Sequence, residues 1–198
     1  MPEYTTTNEN LDAILLGLAV QPQDRILAIC GSGDQALAMA GIGAKVRAVD
    51  RETGQLEYAK EQAALFKSNP LKTLRFHPVS FFMDVDDDFR RNWYLFSHRI
   101  EIARNLDSIS YLHGDIFEQD PKGYNKIYLS NASGCKLAGL VLASSPGTLF
   151  YMCETRDLRH DGRELDTSVR KRDDLTLIAR YHQRKSPRNY NPVVFERL

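Results

Sequence analysis

Cysteine is scarce in this chain, and several other features are missing altogether. Only Cys30, Cys135 and Cys153 occur among 198 residues, widely spaced and with no C-x-x-C pair. So odd and scattered a set supplies neither a disulfide frame nor a zinc site, and is expected of reduced thiols in a cytoplasmic protein. No apolar run approaches the ~18 residues that cross a bilayer. The N-terminus lacks the basic-then-apolar pattern of a signal peptide. Net charge is absent too, because 26 Lys and Arg balance 26 Asp and Glu. A neutral chain has no general attraction for nucleic acid or an anionic membrane. The one basic-leaning stretch, Arg156 to Arg188, holds ten Lys or Arg against six Asp or Glu and reads as a solvated face. There is no internal repeat and no low-complexity segment.

What is present is ordinary for a globular chain: 42% hydrophobic and 26% charged residues. The length is enough for one good core, and a single domain over 1–198 is expected.

The informative stretch runs from Asp24 to Asp50. Arg25 to Ile29 is a short apolar run suited to a buried parallel strand. Gly31-Ser32-Gly33 follows at once, then a short apolar helix over Asp34 to Ala40 ended by Gly41 and Gly43. Lys45 to Val49 is a second strand, with Asp50 at its carboxyl end. Open parallel sheets bind ligands beyond the carboxyl ends of their strands, so the glycine turn and Asp50 should face one crevice. Glycines let backbone approach a ligand without a Cβ in the way. The first amides of the next helix then point at that ligand, and a carboxylate at the second strand end accepts from a ribose diol. Together these features indicate a nucleoside cofactor.

Two cofactors compete for this layout. Gly31-Ser32-Gly33-Asp34-Gln35-Ala36 fits the dinucleotide fingerprint G-x-G-x-x-G/A, with Asp50 as the ribose acid. The same arrangement serves S-adenosylmethionine in class I methyltransferase-like folds. Asp34 favours the latter, since a carboxylate beside a pyrophosphate is repulsive in a partly desolvated site, whereas a sulfonium and an ammonium tolerate it. A dinucleotide fold also needs a second βαβαβ half, for which the chain has no room.

The remaining elements fit one α/β core. Thr7 or Asn8 is expected to cap a helix with Leu11, Ile14, Leu15 and Leu18 on one face. Thr53 to Lys67 reads as a helix with Leu56, Ala59, Ala63 and Phe66 inward. Residues 71–105 read as a helical insertion and candidate lid. Phe89, Trp93, Phe96, Ile100 and Ala103 recur at helical spacing there, and Asp84 and Asp86 to Asp88 are read as helix-start acids, with no metal site. Ser108 to Leu112 and Lys126 to Leu129 are the next strands. They lead into His113-Gly114-Asp115-Ile116 and Ser130-Asn131, and a helix over Leu137 to Ala143 and a strand over Thr148 to Cys153 follow. Leu175 to Tyr181 and Val193 to Leu198 both look β-rich and are expected to form a terminal antiparallel pair.

This order resembles a class I S-adenosylmethionine-dependent transferase of the Rossmann-like methyltransferase fold. The stretch Leu27 to Leu37, with Ala48-Val49-Asp50 and Gln55 five residues on, is similar to the betaine-lipid family of S-adenosylmethionine:diacylglycerol 3-amino-3-carboxypropyltransferases. The likeness covers roughly Tyr4 to Glu154. It implies cofactor contacts from Cys30, Gly31, Ser32, Gly33, Asp34, Asp50, Arg51, Gln55, Asp115, Ile116 and Ser130, with Asn131 at the reacting end. Within these, Gly31, Ser32 and Gly33 would meet the methionine end, Asp50 the ribose and Asp115 the adenine. Ala28 stands where many methyltransferases carry an acid.

The expected activity is therefore aminocarboxypropyl transfer from S-adenosylmethionine to a small-molecule or lipid acceptor. Methyl transfer, a nicotinamide-dependent oxidoreductase and a catalytically silent cofactor-binding module are the alternatives. Displacement at a sulfonium needs alignment more than acid-base chemistry, so no catalytic triad is required, and none is visible.

Overall fold

Short apolar strands alternating with helices dictate a layered sheet. The computed structural model describes residues 7, 9–68, 93–129, 136–153, 167–184 and 190–198. In chain order it contains α1 (Leu11–Gly17), β1 (Arg25–Ile29), α2 (Asp34–Gly41), β2 (Lys45–Asp50), α3 (Thr53–Ser68) and α4 (Arg99–Asn105). Then come β3 (Ile109–His113), β4 (Lys126–Leu129), α5 (Leu137–Ala143), β5 (Leu149–Cys153), β6 (Val169–Lys171), α6 (Asp173–Gln183) and β7 (Pro192–Arg197). The strands form one sheet in the order β3-β2-β1-β4-β5-β7-β6. The first five are parallel, and β7 runs antiparallel to both β5 and β6. The expected α/β class, with its terminal antiparallel pair, is what forms.

Period-two alternation gives the sheet two different faces. Register places Tyr111, Ala48, Ala28, Tyr128, Tyr151 and Val194 in one row across six strands. The two alanines leave room for α2, which is buried from Asp34 to Ala40. This face packs with α1, α2, Leu56, Ala59 and Phe66 of α3, Ile102 of α4, and Leu175 and Ala179 of α6. On the other face Leu27, Val49, Ile127, Leu129, Phe150 and Met152 pack with Leu137, Leu140 and Val141 of α5. At the start of β4, the buried Lys126 ammonium meets the Asp24 carboxylate and the carbonyl of Ala19. Asn125 Nδ2 donates to the same Asp24.

Three expectations need correction. The segment Leu175 to Tyr181 is not a strand but the middle of α6. Its buried residues Leu175, Thr176, Ala179 and Gln183 recur at helical spacing, with Asp173 and Asp174 in the first turn and Arg180 and His182 in the last, as the helix dipole favours. The antiparallel partner of β7 is instead the three-residue β6. Secondly, the N-cap of α1 is Asn10. The Asn10 side chain accepts from the Ala13 amide at 3.1 Å. Thirdly, the stretch is helical over 93–97 and 99–105 with a turn at His98, but it buries a different side from the one the spacing picked out. Leu95, Ile102 and Leu106 are the buried ones there, while Trp93 and Ile100 are exposed. The aspartates at 84 and 86–88 lie outside the described residues. Among the described residues no helix is long and apolar enough to cross a membrane.

Candidate functional site

The carboxyl edge of the parallel strands gathers most of the residues singled out in the sequence. The chain leaves β1 through Cys30, whose amide donates to Val49 O at 2.8 Å. Gly31 follows at φ +49° and Gly33 at φ +86°, both in the left-handed region that favours glycine. The need is steric as well at Gly33, where an added Cβ would lie 2.8 Å from the Cβ of Ala59. At Gly31 the added atom would meet only Gln35 Nε2, at 3.9 Å, so this side of the turn is open backbone.

Asp50 ties the turn to the next strand. Its Oδ2 accepts from the Gly31 amide at 3.0 Å and its Oδ1 from the Glu52 amide at 3.1 Å. Its carbonyl accepts from the Gly114 amide at 2.8 Å. The carboxylate is thus fixed by backbone donors, and with about four lone-pair sites it retains capacity for further donors. The adjoining Arg51 is exposed, and its carbonyl meets a ring nitrogen of His113 at 2.9 Å.

At the end of β3, Asp115 accepts from the Phe117 amide at 3.0 Å and from Lys136 Nζ at 3.0 Å. Burial opposes its charge, yet the Phe117 amide and the Lys136 ammonium prevail and hold its carboxyl below the usual carboxylate range. Lys136 also reaches Glu118 at 3.1 Å. Ile116, the next residue, is buried on the sheet face covered by α5.

Four of the sequence candidates serve the interior. Ser32 Oγ donates to Asp34 Oδ2 at 2.9 Å, and both residues are buried. Gln55 is buried on α3. The Cys30 thiol is pushed up to about 12 by burial and by the neighbouring Asp50 and Asp34 charges. A thiol of that acidity is protonated at neutral pH and does not act as a nucleophile. Ser130 and Asn131 lie outside the described residues. Among the described residues no group of three or more His, Cys, Asp or Glu forms a metal site.

Several residues at this edge escaped the sequence reading. Thr7 donates its amide to Asp34 Oδ2 at 3.0 Å, and its hydroxyl accepts from Gln35 Nε2 at 2.9 Å. Gln35 Nε2 also reaches the Tyr128 hydroxyl at 3.3 Å, which donates to Glu9 Oε2 at 2.9 Å. Thr7 is therefore fastened to the start of α2, and Glu9 to β4.

Similar structures bear on the fold. A SAM-dependent O-methyltransferase from Thermotoga maritima superposes with a TM-score of 0.57 at 13% identity, covering 94% of this chain and 64% of that one. The chain thus spans less than two thirds of that protein's length. A glycopeptide N-methyltransferase complexed with S-adenosyl-L-methionine gives 0.55 at 10% identity, covering 96% and 94% of the two chains. An RNA methyltransferase from Salinibacter ruber, in complex with S-adenosyl-L-homocysteine, gives 0.52 at 15% identity and covers 94% and 88%. No protein-family model and no curated protein matches the sequence. The chain has the Rossmann-like methyltransferase fold, and likeness at these identities speaks for the fold alone.

Proposed function

We propose that this chain binds S-adenosylmethionine at the carboxyl edge of β1 to β3 and is a transferase that passes a group from it to an acceptor. The observation that carries the reading is the Asp50 carboxylate, locked by the Gly31 amide beside two glycines of positive φ. The residues present fit the cofactor. The open side of Gly31 admits a ligand against bare backbone, Asp50 has acceptor capacity for a ribose diol, and Asp115 presents a carboxylate at the neighbouring strand end for an adenine amino group. Asp34 supports S-adenosylmethionine over a dinucleotide. Its charge sits in the first turn of α2, where a pyrophosphate would be repelled and a cationic amino-acid end is not.

When bound, S-adenosylmethionine would supply an electrophilic carbon beside a sulfonium leaving group. The chain's part is then to bind, orient and exclude water. Methyl transfer is the reading that the structural neighbours, themselves methyltransferases, favour. Aminocarboxypropyl transfer is the second reading, favoured by the similarity of Leu27 to Leu37 and Asp50 to the betaine-lipid enzymes, and with it a small-molecule or lipid acceptor. The balanced charge of the chain weighs against a nucleic-acid acceptor. Asn131 is assigned to the reacting end from its sequence position alone.

Replacing Asp50 by Ala is expected to weaken S-adenosylhomocysteine binding by ~10-fold or more in calorimetry, since it removes a charged acceptor, while circular dichroism shows a folded protein. Undiminished affinity in that variant contradicts the ribose assignment. The products separate the two transfers. Methyl transfer leaves S-adenosylhomocysteine and aminocarboxypropyl transfer leaves methylthioadenosine, each read by mass spectrometry against a protein-free control.

A further inference from the structure

Thr7, Glu9 and Asn10 are held by three different elements. Thr7 is bound to Asp34 and Gln35 of α2. Glu9 is bound to Tyr128 of β4, and the Asn10 amide donates to Gln183 Oε1 of α6 at 3.0 Å. Glu9 is only 4% exposed, as is Gln35. A carboxylate is kept so deep only where donors or a cation meet it.

Gln35 has a fixed orientation. The Tyr128 hydroxyl gives its hydrogen to Glu9, so Gln35 must donate to that oxygen through Nε2. Its Oε1 is then a buried acceptor with no hydrogen-bond partner. Its Nε2 is also the nearest atom to the bare face of Gly31. The carboxamide therefore borders the turn proposed above to receive the cofactor. Gln183, which accepts from the Asn10 amide, is 1% exposed, and its Nε2 is a buried donor with no partner. The contacts of Thr7, Glu9 and Asn10 thus leave one orphaned acceptor, Gln35 Oε1, and one orphaned donor, Gln183 Nε2. An α-amino acid end carries the complementary ammonium and carboxylate.

We infer that Glu9 and Gln35 Oε1 together form the receptor for the α-ammonium of the cofactor's amino-acid end. The strand leading into the turn offers no acidic side chain for that role, because Ile29 is apolar and Cys30 is a buried thiol. Asp34 already holds the Thr7 amide and the Ser32 hydroxyl. The N-terminal segment thus becomes part of the binding site, and recognition of the amino group is coupled to its docking. The inference rests on the S-adenosylmethionine reading and names the residues that distinguish the whole cofactor from its nucleoside fragment.

Calorimetry on the full chain tests it with two probes. One is S-adenosylhomocysteine, and the other is its deamino analogue, in which hydrogen replaces the ammonium. Wild type is expected to bind the first ~10-fold or more tighter than the second, in line with a charge-assisted contact. Glu9→Gln is expected to remove most of that difference, weakening S-adenosylhomocysteine ~10-fold and leaving the analogue within ~2-fold. Wild type binding both probes equally overturns the inference. So does a Glu9→Gln variant that weakens both probes alike, or neither, and the cofactor reading survives either result. Wild type binding neither probe overturns the cofactor reading itself, and the inference with it. If Glu9→Gln does not fold, Tyr128→Phe keeps the ring and removes the hydroxyl that orients Glu9. The same selective loss supports the inference, and loss on both probes or on neither overturns it.

Discussion

Gly33 shows how tightly a single residue is constrained at this edge. Its φ of +86° costs a side chain about 1–3 kcal/mol, and a Cβ there would also lie 2.8 Å from that of Ala59. Gly33→Ala should therefore lower unfolding stability by more than ~1 kcal/mol in urea titration. Ala59→Gly in the same chain should restore the steric part but not the backbone part. Gly31 differs, since its surroundings are open, and its value lies in what can approach it. This glycine spacing was legible in the sequence because the requirement is local. The roles of Ser32 and Asp34 were not. Both were assigned to the cofactor from the motif, whereas the structure turns Ser32 Oγ onto Asp34 and the Asp34 carboxylate toward Thr7. Only folding brings that partner, 27 residues away in sequence, into reach.

At the scale of elements, α1 and α6 are joined through a small-residue contact. A Cβ on Gly17 would sit 2.9 Å from both the Ala179 Cβ and a ring carbon of Tyr151. Alanine is the better helix former by about 1 kcal/mol, but overpacking of this kind costs about 1–3 kcal/mol. Gly17→Ala should consequently be net destabilising in thermal unfolding, and Ala179→Gly should relieve part of the loss. An unchanged or raised midpoint would mean that the two helices do not pack as described. The same α6 is where sequence reading failed. Leu175, Leu177, Ile178 and Tyr181 gave an apolar run that looked like a strand, yet Leu177, Ile178 and Tyr181 are exposed and Leu175, Thr176, Ala179 and Gln183 are buried. Thr176 and Gln183 are polar and masked the helical period. Thr176 is needed inside because its hydroxyl accepts from the Val194 amide of β7 at 3.0 Å. The central elements β1, α2, β2 and β4 carried no such conflict, and their bounds followed closely from apolar runs and glycines.

For the whole molecule, the order of strands places Cys30 to Gly33, Asp50 and Asp115 along one edge although they span 86 residues of sequence. That assembly was foreseeable from the rule that ligands meet parallel sheets at their carboxyl ends. The contacts of Thr7 and Glu9 with α2 and β4 were not, since nothing local in those residues announces them. A neutral chain adds no long-range steering, so affinity must come from the edge itself. The most direct measurement is mass spectrometry of the small molecules retained by the purified full chain after incubation with S-adenosylmethionine and NAD together. Retention of S-adenosylmethionine or its thioether products, without NAD, is the predicted result. Retention of NAD with no affinity for S-adenosylmethionine would contradict the account and return the glycine turn to a dinucleotide.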